Sequence, residues 1–114
     1  MYLENMSRVS LFHFQNSEIT VNVEAYFEGE SLVIDGYDIG KTVEECWGDS
    51  DYEYSTTVPV DEVKKLYPLF RVNDGDKLGL LEAIKNRFHD THCFSDFSDF
   101  LMKNNIDANG FSWT

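Results

Sequence analysis

Tyr52-Glu53-Tyr54-Ser55-Thr56-Thr57-Val58-Pro59-Val60-Asp61-Glu62-Val63-Lys64-Lys65-Leu66-Tyr67 holds the change of rhythm that decides the fold class. Before Pro59, Tyr52, Tyr54, Thr56 and Val58 alternate with Glu53, Ser55 and Thr57, the period of two that marks a strand. Pro59 closes it. Beyond, Val60, Val63, Leu66, Tyr67 and Phe70 fall at i, i+3, i+6, i+7 and i+10, one face of a helix. Pro68 lies near the end of that helix and limits it.

On the N-terminal side the period of two persists. Val9, Leu11, Phe12 and Phe14 form a β-rich run ending at the turn formers Asn16-Ser17. Ile19, Val21, Val23 and Ala25 then alternate with Thr20, Asn22, Glu24 and Tyr26, a strand with one dry and one wet face. Glu28-Gly29-Glu30-Ser31 turns the chain into a third strand, Leu32-Val33-Ile34-Asp35, which Gly36 and Gly40 interrupt. Strands joined by turns this short form an antiparallel meander. Lys41–Trp47 is read as one or two helical turns stopped by Gly48, with Asp49-Ser50-Asp51 a turn.

On the C-terminal side the rhythm is helical. Asn73-Asp74-Gly75-Asp76 is a polar turn that supplies an N-cap. Leu78, Leu81, Ile84, Lys85 and Phe88 mark the second amphipathic helix. Cys93 or Ser95 starts a third, with Phe97, Phe100, Leu101 and Ile106 on its apolar side. Phe111-Ser112-Trp113-Thr114 alternates again and returns as an edge strand. The expectation is α+β: an antiparallel four- to five-stranded sheet followed by about three helices on one face, in a single domain spanning 1–114.

The chain carries 21 acidic and 9 basic residues, net −12. Residues 1–60 hold 12 acidic and 2 basic side chains, so the excess lies in the N-terminal half. Phosphates would be repelled over most of such a surface, which argues against nucleic acid or an anionic membrane as partner. A basic protein partner is favoured instead, steered by charge and sensitive to salt. Acidity that only maintains solubility is the plain alternative. No run reaches the roughly 18–20 apolar residues of a membrane span. Met1-Tyr2-Leu3-Glu4-Asn5 lacks the basic start of a secretory leader. Two cysteines, Cys46 and Cys93, are too few for a disulfide framework, and reduced thiols in a cytoplasmic protein are expected.

Between Val43 and Tyr54, five carboxylates (Glu44, Glu45, Asp49, Asp51, Glu53) accompany three large aromatics (Trp47, Tyr52, Tyr54) with no Lys or Arg. These eight residues are the candidate partner-binding set: the carboxylates supply a field and the rings short-range contact area. The plain alternative puts Tyr52 and Tyr54 on the buried face of their strand. Phe12, Phe14, Leu66, Phe70, Leu81, Ile84, Phe88, Phe97 and Phe100 are read as core.

Chemistry on a small molecule finds less support. Asp49, Asp51 and Glu53 are hard oxygen ligands, but an EF-hand register fails from Asp35, which puts Cys46 at position 12, and from Asp49, which puts Tyr54 at position 6. His89-x-x-His92-Cys93 offers too few ligands for zinc once only the distant Cys46 and His13 remain. Carboxylates beside Cys46 raise its pKa, the wrong direction for a nucleophile. There is neither a nucleophile elbow nor a phosphate-cradling glycine loop. No catalytic residue, metal or cofactor is assigned, and an enzyme is not expected.

Gly36-Tyr37-Asp38-Ile39-Gly40, the string Trp47-Gly48-Asp49-Ser50-Asp51-Tyr52-Glu53-Tyr54, Val58-Pro59, Leu80-Leu81, Phe97-x-x-Phe100-Leu101 and Phe111-x-Trp113 resemble a family of small, acidic bacterial proteins. The likeness covers roughly residues 30–114. Proteins of this type are similar to the immunity proteins of polymorphic and contact-dependent toxin systems. The resemblance implies an inhibitor that covers the basic active site of a nuclease-type toxin domain. A DNA-mimicking inhibitor, a small carboxylate-based enzyme and an adaptor with a client-pairing strand are the rival readings.

Overall fold

The computed structural model describes residues 8–40 and 51–113. Among the described residues, four strands, β1 (Arg8–Gln15), β2 (Ile19–Glu28), β3 (Ser31–Gly40) and β4 (Asp51–Val58), precede four helical segments. These are α1 (Val60–Val63), α2 (Leu66–Leu69), α3 (Lys77–Arg87) and α4 (Cys93–Lys103), and a last strand, β5 (Asn109–Trp113), follows. The sheet is antiparallel throughout, in the order β1-β2-β3-β4-β5. It is an α+β fold, and the C-terminal strand is the edge strand expected from Phe111-Ser112-Trp113.

Local chemistry explains the joints. Asn16 Oδ1 accepts from the backbone N–H of Glu18 and Ile19, both at 2.8 Å, closing the first turn. Gly29, at φ +65°, is the first central residue of the two-residue β2–β3 turn, a left-handed position that favours glycine. Asp76 caps α3 by accepting from Gly79 N–H at 3.0 Å, as the polar turn predicts.

Several expectations need correction. The amphipathic stretch 60–70 is two short helices because Pro68 has no N–H for the Lys64 carbonyl and its ring crowds that oxygen. On α3, Leu80, Leu81 and Ile84 are buried, and Phe88 joins them just past its end, while Leu78 is 54% exposed. At 3.6 residues per turn the four buried residues share one arc and Leu78 lies off it. Finally, β3 does not stop at Asp35. It runs through Gly36 to Gly40, with Gly36 paired to Val23 on one side and Tyr54 on the other. The predicted helical turns of 41–47 lie outside the described residues, as do Asp49 and Ser50.

The core lies between one sheet face and the helices. Val23, Ala25, Phe27, Leu32, Ile34 and Val58 meet Leu66, Leu80, Leu81, Ile84, Phe97 and Leu101 there. A bulge between Ser10 and Phe12 breaks the alternation of β1 and lets Leu11, 3% exposed, into the core beside Phe12. Phe14, read as core, is 45% exposed near the end of the strand. Arg87 covers the aromatic cluster, its guanidinium 4.6 Å from the Phe100 ring centroid.

Candidate functional site

The period of β4 divides the candidate string between two faces. Tyr52 and Tyr54 turn towards the helices, and Glu53, opposite Tyr37, is exposed on the other face. Glu44, Glu45, Trp47 and Asp49 lie outside the described residues. Asp51 begins β4 opposite Ile39.

On the helix side a cleft of about 520 Å³ separates β4 from α4. Asp38, Tyr52, Tyr54 and Thr56 line its sheet wall, and Thr91, Phe94, Ser95 and Ser98 its helix wall. Register builds the first wall: Asp38 stands directly across from Tyr52, and Gly36 from Tyr54. Tyr54 is the centrepiece. Its hydroxyl donates to Asp38 Oδ1 at 3.1 Å, and its ring meets Phe94 edge-on at 4.7 Å. The ring lies over Gly36, where an added Cβ would stand 2.7 Å from Tyr54 Cζ. Tyr52 sits beside it, ring centroids 5.6 Å apart.

Burial sets the protonation of these groups. It raises the Tyr54 phenol well above its ordinary range, and the nearby Asp38 carboxylate adds to the effect. It also raises Asp38, partly offset by the hydrogen bond from Tyr54. The neutral phenol is therefore the donor to the Asp38 carboxyl. Cys93, buried at the start of α4, is pushed up to about 11, first by burial and then by Asp90. It is a protonated thiol. Among the described residues no three His, Cys, Asp or Glu side chains converge as metal ligands. His89 Nδ1 lies 3.0 Å from the Lys85 carbonyl, an acceptor only, so that nitrogen carries the hydrogen and the ring closes the end of α3.

The opposite sheet face carries Glu24 across from Asp35 and Tyr26 across from Val33. Arg8 spans this corner, 2.6 Å from Glu24 Oε1 and 4.3 Å from the Tyr26 ring centroid. Burial and then Glu24 raise the Asp35 pKa, against the lowering by Tyr26 and Arg8. A raised folded-state pKa means the folded protein is favoured as pH falls through it and disfavoured once Asp35 ionises. Asp35→Asn, which keeps an acceptor for Tyr26, is accordingly expected to raise the urea midpoint at pH 7. The advantage should shrink towards pH 4. A midpoint lowered at pH 7 would show that the ionised carboxylate is favourable there.

Asp38, Thr91, Phe94, Ser95 and Ser98 are not among the site residues expected from the sequence. A signal existed for Asp38: continuing the alternation of Leu32 and Ile34 through Gly36 puts its carboxylate on the core-facing side. Among the described residues no helix is long and apolar enough to cross a membrane. No family model, no curated protein and no solved structure matches the chain.

Proposed function

We propose that this is a protein-binding module of the immunity type, which neutralises a basic, nuclease-type bacterial toxin domain by covering its active site in the cytoplasm. The observation that carries the reading is the half-buried Asp38 beside Tyr52 and Tyr54, at the end of the sheet where β3 leaves and β4 returns. In the sequence, Glu44, Glu45, Trp47 and Asp49 fall between the end of β3 and the start of β4. Carboxylates there would stand in for the phosphates of the toxin's substrate, and the net charge of −12 would speed encounter.

The test is affinity capture from the host lysate, followed by assay of the captured protein. A basic partner, released by salt and inactivated by a stoichiometric amount of this protein, is the expected result. A partner whose activity is untouched would sink the proposal. Charge reversal at Asp49 and Asp51 is expected to slow association at least tenfold at low salt with the unfolding midpoint unchanged. Unaltered association in that variant would remove the acidic string from the interface.

A carboxylate enzyme built on Asp38 is the second reading, favoured by the same concave cleft and shifted pKa. It has less support: Tyr54 and Cys93 are both held protonated, so neither supplies Asp38 with an activated nucleophile.

A further inference from the structure

Three features of the cleft between β4 and α4 ask for one chemical group. Asp38 uses Oδ1 to accept from Tyr54, and a carboxylate has about four acceptor positions in all, so capacity remains. Tyr52, Tyr54 and Phe94 present aromatic surface, whose faces attract a cation. Thr91, Ser95 and Ser98 add hydroxyls that accept from further N–H groups.

Competing ligand classes fail on charge. A neutral apolar group would strip water from the half-buried Asp38 without pairing it. An anion would meet that carboxylate and a protein of net charge −12. The first turn of α4 also reaches the cleft through Phe94 and Ser95 and would favour an anion. A helix end, however, carries only roughly half an elementary charge against the full charge of Asp38. A cation wins.

Among cations, an ammonium is a compact point charge with three donors. A guanidinium is planar, stacks on tyrosine and carries five donors in a fork that fits a carboxylate. The aromatic walls, carboxylate and scattered hydroxyls suit the second. We infer that the cleft is the receptor for an arginine side chain projecting from the basic protein partner. The source of the arginine rests on the proposed function; the chemistry of the cleft does not. The volume of about 520 Å³ also admits neighbouring partner atoms or bridging water.

The experiment is an NMR titration of the whole protein with N-acetyl-arginine methylamide, following the ring signals of Tyr52 and Tyr54. Saturable shifts in the millimolar range are expected, with the neutral citrulline analogue binding at least tenfold more weakly. Asp38→Asn keeps an acceptor for Tyr54 and should lose at least tenfold in affinity. Tyr52→Ala should lose several-fold, and Glu82→Gln, exposed on α3 and away from the cleft, should bind as the wild type does. Equal binding of citrulline, or full binding by D38N, would overturn the guanidinium site. Free L-arginine binding tenfold more tightly than the blocked form would overturn the protein source in favour of a small molecule. Absence of any saturable binding would end the inference while leaving toxin neutralisation through the acidic string standing. Arginine binding without neutralisation would do the reverse.

Discussion

Phe97→Ala is expected to bring the protein to the edge of unfolding at physiological temperature. Phe97 is fully buried, edge-on to Phe88 at 5.4 Å and stacked with Phe100 at 6.3 Å between ring centroids. Truncating such a ring costs about 3–5 kcal/mol, the lost transfer energy plus the cavity that rigid neighbours leave behind. Domains of this size hold roughly 5–15 kcal/mol in total, so one side chain would remove a large share. Urea unfolding measures the loss directly. Met102→Ala, one turn along on the solvent side and 72% exposed in the wild type, should stay within about 0.5 kcal/mol of it. If F97A and M102A have the same midpoint, the helix face assigned to the core is wrong.

The α+β order was readable because two periodicities meet at Pro59 with little ambiguity. Tyr52 to Val58 alternate, and Val60 to Phe70 do not. What escaped was local. The adjacent Leu11-Phe12 pair breaks the alternation of β1, and only a bulge reconciles two neighbouring apolar residues with one core face. Gly36 resembled a strand end because glycine weakens strands in general. Its justification is a ring from the neighbouring strand, and a cross-strand relation is invisible until the register is known. Leu78 was misplaced for a comparable reason: it fits one i, i+3 series, yet Leu80 and Leu81 define a better-buried arc.

The site was legible only as composition. The string from Val43 to Tyr54 reads as one acidic, aromatic unit, but a strand sends successive side chains to opposite faces. Tyr52 and Tyr54 therefore share a cleft with Asp38, while Glu53 belongs to the other surface. The carboxylate that lines the cleft with the two tyrosines is contributed by β3, fourteen residues before Tyr52 in the sequence. Linear proximity gave the charge; register chose which charge faces the rings.

The substitution that tests this register is Gly36→Ala. Adding a methyl group to a strand glycine normally helps, by about 0.4–1 kcal/mol, because the unfolded chain loses freedom. Here the methyl would stand 2.7 Å from Tyr54 Cζ and 3.0 Å from its hydroxyl oxygen. The ring has little room to yield, since Phe94 meets it edge-on at 4.7 Å and Asp38 holds its hydroxyl. Overpacking of this kind costs about 1–3 kcal/mol, enough to reverse the usual sign. Gly36→Val should cost more. The decisive comparison is a double-mutant cycle with Tyr54→Ala. Once the ring is gone, G36A should become neutral or stabilising, a coupling of about 1–3 kcal/mol between two residues eighteen apart in sequence. The same G36A protein should lose affinity for the blocked arginine probe, because a displaced Tyr54 can no longer orient Asp38. If G36A is equally tolerated with and without Tyr54, the ring does not sit over Gly36, and the cleft loses the wall on which its arginine chemistry depends.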